Sequence, residues 1–382
     1  MRTIFILLLC CRMAAAQDAI QITHGPYLQN MSDNEVTVVW VTDRNAISWV
    51  ELAPDDGTHF YLQERPKFFA ARNGVKLEST VHSVKLRGLK PAERYRYRVF
   101  SQSVLAREGH NITYGRVASS TAYRPPVFTT LDPDARRDVA FGMVNDIHGR
   151  SEVLDTLLRI LDPLKQNMIF FNGDMVSSLT GEDDLFTGFM DVSVKAFAQT
   201  VPMYYARGNH ETRGVFATRF QDYFSPQSPE LYYIVRHGPV CFLVLDSGED
   251  KPDTDVEYSG ITDYDYYRTL EAEWLRDVLK NPQFADAPCK VVICHIPPSR
   301  DWHGENEVLT RFAPLLNDAK VDVMLCGHLH TTIKRMPDAT VKFPVLINSN
   351  NSAVRGTVNA QGLSLEIINM DGTIAETFKV VR

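Results

Sequence analysis

Short apolar stretches in the second half of the chain alternate with small clusters of Asp, Asn and His. Residues 201–206 predict a buried strand, after which Gly208 permits a tight turn and Asn209, His210 and Glu211 follow in succession. The same arrangement recurs with residues 139–144 before Asp146 and His148, 168–171 before Asp174, 291–294 before His295, and 321–326 before His328 and His330. Because ligands gather at the carboxyl ends of strands in α/β proteins, we expect these side chains to meet.

Helical periodicity occupies the intervals between those strands. The apolar side chains that fall on one face of residues 151–166 are Val153, Leu154, Leu157, Leu158, Leu161 and Leu164. Residues 270–279 and 308–316 repeat the pattern. The alternation of strands and helices predicts an α/β domain over residues 138–382.

Residues 20–125 predict a separate antiparallel β-sandwich. Short stretches rich in β-branched and aromatic residues, each bounded by turn formers, predict strands at 35–42, 47–52, 59–62 and 81–86. Residues 124–137 contain Pro, Asp and Arg without periodicity, which predicts a linker. This sandwich is expected to support the second domain, and a carbohydrate-binding or partner-binding module is the alternative.

One turn in this first domain carries a resemblance. The run from Leu89 through Pro91 to Tyr95 resembles the corner of fibronectin type III domains, in which a tyrosine hydrogen-bonds back to the turn backbone. The resemblance implies that Tyr95 is the corner residue and that Trp40 is the core tryptophan on an earlier strand.

Composition and charge limit the function classes. The chain of 382 residues is long for one core and carries a net charge of −7, which argues against a general nucleic-acid binder. Residues 1–16 have a basic start, a short apolar stretch and a small-residue end, so we expect a secretory signal cleaved after Ala16. No later segment approaches a membrane span, and the product is expected to be periplasmic or extracellular.

The polar clusters together have the composition of a metal site. Two Asp, one Asn and four His are too many ligands for one ion and suit two ions. Carboxylate, carboxamide and imidazole favour Mn, Fe or Zn, and the absence of thiolates in the set argues against a structural zinc site.

In its order, this set of clusters resembles the motifs of the calcineurin-like metallophosphoesterases, which run D-x-H, G-D, G-N-H-[DE], H and G-H-x-H. That resemblance implies a four-layer αββα sandwich. The preceding β-domain and the sequence Gly25-Pro-Tyr-Leu-Gln29 resemble purple acid phosphatases in particular. Two positions depart from that group: Ser177 stands where a tyrosinate binds ferric iron, and His148 stands where a glycine is usual. We therefore expect His148 to replace the missing ligand, with no purple colour and no requirement for ferric iron.

The resemblance also implies roles for individual residues. It assigns Asp146, His148 and His330 to one metal, Asp174 as the bridge, Asn209, His295 and His328 to the other metal, and His210 to the leaving group. Glu211 is expected to orient its neighbours, and Arg150, Arg207 and His303 are candidates for substrate phosphate contacts. The acidic residues 246–258 predict either a lid over the site or a solvated connection.

Three functions remain open at this stage. The first is an exported dinuclear-metal phosphatase that hydrolyses small phosphate monoesters by in-line attack of a metal-bridging hydroxide. The second is a phosphodiesterase or nucleotide hydrolase that uses the same metal site. The third is a binding or adhesion protein, which the complete ligand set disfavours.

Overall fold

The computed structural model describes residues 19–120, 123–134, 136–224 and 230–381. The expected signal sequence, residues 1–16, lies outside the described residues. In the N-terminal part the strands are β1 (Ile22–Gln29), β2 (Glu35–Pro54), β3 (Lys67–Phe69), β4 (Ala71–Arg72), β5 (Val75–Lys76), β6 (Glu78–Arg87), β7 (Arg94–Glu108), β8 (Asn111–Ser119) and β9 (Val127–Thr129).

Strand β2 organises the N-terminal sandwich. Its first half pairs with β1 and β6, its second half pairs with β3 and β7, and the register with β6 shifts between Val41 and Ala46. The separately predicted strands 35–42 and 47–52 are therefore one strand, because this shift accommodates the polar residues between them. Strand β9 begins after residue 125 and pairs with β7.

The tyrosine corner forms as expected, whereas one predicted strand does not. The Tyr95 hydroxyl accepts a hydrogen bond from the backbone N–H of Lys90 at 3.0 Å. Trp40 is fully buried and donates its indole N–H to Ser101 Oγ at 2.8 Å. The strand predicted at 59–62 is wrong, since these residues form a turn in which the Arg65 guanidinium hydrogen-bonds the carbonyl of Phe60.

The second part alternates strands with helices. Its strands are β10 (Val139–Val144), β11 (Met168–Asn172), β12 (Met203–Ala206), β13 (Tyr233–His237), β14 (Val240–Val244), β15 (Cys289–Ile293), β16 (Val323–Cys326), β17 (Ile333–Arg335), β18 (Val345–Ile347), β19 (Ser352–Asn359), β20 (Gly362–Asn369) and β21 (Ile374–Val381). Its helices are α1 (Ser151–Leu161), α2 (Glu182–Leu185), α3 (Asp191–Ser193), α4 (Phe220–Tyr223), α5 (Tyr264–Val278), α6 (Pro282–Ala285), α7 (His303–Glu307) and α8 (Ala313–Asp318). Wider helical turns at Phe186–Met190, Val194–Ala198 and Val308–Phe312 adjoin α2, α3 and α7.

Two sheets pack face to face between two layers of helices, which is the predicted αββα arrangement. One sheet runs β21-β20-β19-β10-β11-β12 and the other runs β13-β14-β15-β16-β18-β17. Between them Phe170 lies 4.7 Å from Phe242, ring centre to ring centre, and Phe141 lies 4.9 Å from Phe242. Helix α1 covers the outer face of the first sheet, whereas α5 and α8 cover that of the second. Of the described helices, none has the length and apolar character needed to cross a membrane.

Helix α1 is shorter than its periodicity predicts. It ends at Leu161, and Asp162 takes a left-handed conformation just before Pro163. Leu164, which was expected on the buried face, is instead 60% exposed. The proline ends the helix because its ring cannot continue the hydrogen-bonding pattern.

The first sheet continues from the second domain into the sandwich. Strand β1 pairs in parallel with β12, with Gln29 opposite Met203. Hydroxyl groups fasten the same boundary: Tyr204 donates to the carbonyl of Met31 at 2.7 Å, and Tyr97 donates to the carbonyl of Gln199 at 2.9 Å. The two parts therefore share backbone pairing as well as side-chain contacts.

Candidate metal centre

The loops after β10 and β16 bring three predicted ligands together. His330 Nε2 lies 3.2 Å from Asp146 Oδ1 and 3.2 Å from His148 Nε2. His148 Nε2 lies 3.9 Å from the same Asp146 oxygen. A single cation between these atoms would have one carboxylate and two imidazole ligands.

A second group forms beside the first. His295 Nε2 lies 3.2 Å from Asp174 Oδ2, and His328 Nδ1 lies 3.2 Å from Asn209 Oδ1. Asp174 belongs both to a cluster with His295 and His328 and to a cluster with His148 and His210. Its carboxylate thus lies between the two groups of ligands.

Two buried atoms at the centre lack ordinary partners. Asp146 Oδ1 and His295 Nε2 are fully buried, lie 3.9 Å apart and have no partner with hydrogen-bonding geometry. Leaving such atoms buried and unpaired is costly, so a function normally explains them. Both are atoms that bind Mn, Fe or Zn, and the residues present therefore fit a metal centre.

Backbone carbonyls orient two of the imidazoles. His295 Nδ1 lies 2.7 Å from the carbonyl oxygen of Asn172, and His210 Nδ1 lies 2.7 Å from that of Ser177. A carbonyl oxygen only accepts, so in both rings Nδ1 carries a proton. Each Nε2 then faces Asp174. Histidines that bind metals commonly donate their other ring N–H to a carbonyl in this way.

Several of the predicted ligands have a backbone conformation that is uncommon outside glycine. The φ angles are positive at Asp146 (54°), His148 (51°), Asp174 (54°), His328 (70°) and His330 (54°). This left-handed conformation costs about 1–2 kcal/mol per residue. Its concentration at these loop tips is typical of functional sites, where the surrounding fold holds strained residues in place.

Two glycines allow the loops to approach the carboxylates. A Cβ atom on Gly208 would lie 2.3 Å from Asp174 Oδ1, and one on Gly327 would lie 2.6 Å from Asp146 Oδ2. Backbone amides also hold these carboxylates, since His328 N–H donates to Asp146 Oδ2 and His210 N–H donates to Asp174 Oδ1, both at 2.9 Å.

Glu211 connects the loop that follows β11 to the loop that follows β12, as expected for a residue that orients its neighbours. Its buried carboxylate accepts hydrogen bonds from the backbone N–H groups of Asp174 and Gly208 at 2.9 Å and of Met175 at 2.7 Å. The Tyr205 hydroxyl donates to it at 2.9 Å. Burial and the nearby charge of Asp174 raise the pKa of Glu211.

The electrostatics of the centre favour positive charge. Burial opposes ionisation of Asp174, but the neighbouring imidazoles of His295 and His210 outweigh it and hold the pKa of Asp174 below its usual range. Burial likewise opposes a charge on His295, yet Asp174 and Asp146 raise the pKa of that ring. Two buried carboxylates therefore create a negative potential that a metal cation would neutralise.

The three residues expected to contact substrate phosphate are engaged elsewhere. Arg150 donates to the carbonyls of Asp146 and Asn350, both at 2.8 Å, and thus braces a ligand loop from behind. Arg207 lies 2.9 Å from Asp246 in a buried ion pair. His303 Nε2 lies 2.7 Å from Asp265 Oδ1.

His303, Asp265 and Glu307 form a further cluster of metal-binding side-chain types. Its carboxylates already have cationic partners, because Arg268 pairs with Asp265 at 2.6 Å and Arg311 pairs with Glu307. These guanidinium groups compensate the charge that would attract a metal ion, so this cluster differs from the centre around Asp174.

Arg213 was not recognised from the sequence, yet it lies next to the centre. Its NH1 group is 3.4 Å from His210 Nε2, and its NH2 group is 3.1 Å from both Glu249 Oε2 and Asp250 Oδ1. Its position three residues after His210 was the available signal, but only the fold shows which way the side chain points.

The acidic segment 246–258 is anchored to the site rather than free in solvent. Asp246 pairs with Arg207, Glu249 pairs with Arg213, and the Tyr258 hydroxyl donates to Glu249. The segment is thus held by Arg207 and Arg213, and whether it acts as a lid stays a prediction.

Comparisons with known proteins agree with this geometry. Residues 140–332 match the family model of the calcineurin-like phosphoesterases. The chain belongs to this family. Its members are metal-dependent phosphoric ester hydrolases, and related enzymes use a dinuclear metal centre. Residues 25–120 match the model of the purple acid phosphatase N-terminal domain, which confirms the purple acid phosphatase-like architecture of this phosphoesterase.

The solved structures that resemble this chain include a purple acid phosphatase of the same fold. The phosphoesterase chain superposes on purple acid phosphatase PPD1 from yellow lupin (Lupinus luteus) seeds with a TM-score of 0.70 and 15% identity, covering 96% of this chain and 75% of that one. A 5'-nucleotidase from Candida albicans SC5314 matches with a TM-score of 0.37 and 16% identity over 63% of this chain and 53% of that one. No curated protein sequence matches the chain.

Proposed function

We propose that this phosphoesterase is an exported dinuclear-metal phosphatase that hydrolyses small phosphate monoesters. The observation that carries the proposal is the position of Asp174, whose carboxylate belongs to His/Asp clusters on both sides. A carboxylate in that position has one oxygen for each of two ions. Substrates of this kind need no extended binding surface, and the net charge of −7 argues against polyanionic partners such as nucleic acid.

The ligand assignment follows the two groups of side chains. We assign Asp146, His148 and His330 to one ion and Asn209, His295 and His328 to the other, with Asp174 shared. The proposed ions are two of Mn, Fe or Zn, since the set combines carboxylate, amide and imidazole. When bound, they supply activation of the attacking water and neutralise charge on the phosphoryl oxygens in an in-line displacement.

His210 is proposed to assist departure of the leaving group. Its Nε2 lies 3.9 Å from Asp174 Oδ2, so the ring faces the centre, and the family resemblance assigns it to the leaving group rather than to a metal. The carbonyl of Ser177 accepts a hydrogen bond from Nδ1–H, which fixes the ring plane, and the ring in its imidazolium form would donate the proton on Nε2 to the departing oxygen.

The departures from the purple acid phosphatase pattern support a different first metal site. Ser177 places its backbone carbonyl on His210, and its hydroxyl lies 3.5 Å from the carbonyl of His148, so it contributes no phenolate. The His148 ring lies in the cluster with Asp146 and His330. We therefore propose that the loaded enzyme lacks the purple charge-transfer colour and does not require ferric iron.

Metal analysis combined with one substitution tests this assignment. Wild-type protein is expected to bind two equivalents of Mn, Fe or Zn and to hydrolyse p-nitrophenyl phosphate until a chelator removes the metal. Asp174→Asn is expected to lose metal and to lower kcat by at least 10²-fold, because it removes the shared carboxylate. Asp265→Asn is the matched control, since it changes a carboxylate of the other His/Asp cluster.

A paired assay on bis-p-nitrophenyl phosphate distinguishes the alternative. A strong preference for this diester would identify a phosphodiesterase that uses the same centre. Full activity in Asp174→Asn would refute the shared-ligand assignment, and wild-type protein without metal or turnover after reconstitution would refute the proposed function.

Export and domain division belong to the same proposal. We propose a signal sequence at residues 1–16, a fibronectin type III-like sandwich at 20–125, and a catalytic domain at 138–382. The basic start and short apolar stretch of residues 1–16 support export. Sequencing the N-terminus of the exported protein tests this, and a first residue other than Gln17 would contradict the cleavage site.

A further inference from the structure

A cavity of about 310 Å³ lies beside Arg213, and none of the roles assigned above uses it. Arg213, Glu249, Tyr258 and Ile261 are among the residues that line it. Arg213 connects it to the metal centre, since its NH1 group lies 3.4 Å from His210 Nε2 and that nitrogen lies 3.9 Å from Asp174 Oδ2. Arg213 thus contacts both the cavity and the proposed proton donor.

Apolar side chains form the rim of this cavity. Val215 is 89% exposed and Ile261 is 88% exposed, and both line the cavity together with the buried Tyr258. Apolar side chains grouped at the mouth of a concave site are typical of ligand-binding surfaces. A ligand that covers them would remove apolar area from water.

The charged side chains that line the cavity attract little further negative charge beyond the phosphate that reacts. The one cation in the described lining, Arg213, is already paired with Glu249 and Asp250. Glu257 also lines the cavity and is half exposed, with Lys251 at 2.9 Å. A phosphate or carboxylate on the distal part of a ligand would therefore meet mostly acidic groups.

We propose that this cavity binds the alcohol portion of the phosphate monoester and selects an uncharged apolar group, such as an aryl ring. The proposal rests on the phosphatase function proposed above. The ring lies against Tyr258 between Val215 and Ile261, while the ester oxygen points back toward His210. During hydrolysis water supplies the oxygen that bonds to phosphorus, the ester P–O bond breaks, and the departing alcohol takes up a proton.

The test compares two substrates that differ in the size of the alcohol. In the double variant Val215→Ser/Ile261→Ser, kcat/KM for 2-naphthyl phosphate is expected to fall about tenfold, whereas kcat/KM for methyl phosphate stays unchanged. Val256→Ser is the matched control, because Val256 is 91% exposed on the same segment but does not line the cavity. An equal effect on both substrates, or none on either, would overturn the proposal.

A substrate with a carboxylate on its alcohol portion tests whether the acidic side chains of the cavity select against anions. Wild-type enzyme is expected to prefer phenyl phosphate over 4-carboxyphenyl phosphate by about tenfold in kcat/KM, and Glu257→Gln is expected to narrow that preference. If the variant leaves the ratio unchanged, these acidic side chains do not determine selection.

Binding of 2-naphthol, followed by ligand-observed NMR, separates this proposal from the proposed function. Wild-type protein is expected to bind 2-naphthol, and the double variant is expected to lose that binding. Binding that depends on Val215 and Ile261 in a protein without phosphatase activity would refute the function and retain the apolar site. Absence of binding in an active enzyme would refute the apolar site alone.

Discussion

Two arginines near the catalytic loops have different environments. Arg207 is 11% exposed, pairs with the fully buried Asp246 and lies over the rings of Tyr264 and Tyr267. Arg213 is 21% exposed and extends from the pair with Glu249 to His210. The first therefore stabilises the fold, whereas the second has a donor directed at the reacting groups.

Exchanging each arginine for glutamine is expected to separate these roles. Arg207→Gln leaves Asp246 buried without its cation, which costs about 3–5 kcal/mol in the free energy of unfolding. Arg213→Gln likewise removes the cation from the buried Glu249, so it is also expected to lose stability. It is in addition expected to lower kcat/KM for p-nitrophenyl phosphate by at least tenfold with unchanged metal content, because His210 loses the guanidinium group beside its Nε2. Urea denaturation and steady-state kinetics on both proteins check the prediction. Comparable stability losses with unchanged turnover in Arg213→Gln would contradict it.

His82 predicts a stability loss in acid. Its Nε2 lies 2.8 Å from Thr42 Oγ1, its Nδ1 is buried without a partner, and burial lowers the pKa of the ring from 6.5 to about 4. The unfolded chain therefore takes up the proton first as the pH falls, so stability is fully present above pH 6.5 and declines from there to about pH 4.

Substitution of His82 isolates that contribution. Between pH 7 and pH 5 this one ring is expected to cost about 2 kcal/mol of unfolding free energy, which His82→Phe should remove. Urea midpoints at both pH values, for wild type and variant, measure the difference. An identical decline in both proteins would assign the acid sensitivity to other groups.

The turns that follow the strands determine the geometry of the metal centre more than the strands themselves do. Adding a methyl group at Gly208 would place a carbon 2.3 Å from Asp174 Oδ1, in a loop that Glu211 already fixes. Gly208→Ala is therefore expected to displace Asp174 and to reduce bound metal below two equivalents, measured by elemental analysis.

Gly181→Ala is the control for this prediction. Gly181 lies on the neighbouring loop, and an added Cβ would meet no atom within 4 Å. Metal content and activity are expected to match the wild type. Normal metal binding in Gly208→Ala would show that the loop adjusts to the added carbon.

The position of the ligands at the strand ends could be predicted from the sequence, because an apolar strand and the polar residue that follows it are two signals that agree. The direction of a long side chain leaves no such signal in the sequence. Apolar strands followed by Asp, Asn or His placed Asp146, Asp174 and His295 at one edge. The direction of Arg213 depends on Glu249, which lies 36 residues away in the chain, and no local pattern records that pairing. Leu164 followed the helical period but Pro163 ended the helix before it.

At the scale of the whole molecule, the sandwich and the phosphoesterase domain are expected to unfold as one unit. Strand β1 pairs with β12, and the hydroxyls of Tyr204 and Tyr97 cross the same boundary. Calorimetry should therefore show one transition. The double variant Tyr97→Phe/Tyr204→Phe is expected to lower the free energy of unfolding by about 2 kcal/mol, since each lost hydrogen bond costs about 1 kcal/mol.

The control for the boundary is Tyr114→Phe, which changes a half-exposed tyrosine on β8 and should leave the transition unchanged. Two separate transitions in the wild-type protein would contradict the prediction of a single unit.

The pairing of β1 with β12 also has an evolutionary consequence. Strand β12 precedes the loop with Asn209 and His210, and β1 pairs at Met203 with the backbone on the side away from β11. A descendant that lost the N-terminal module would expose those groups as a sheet edge, which promotes aggregation between chains. Recombination that exchanges this module is therefore expected to preserve a strand able to pair at Gln29.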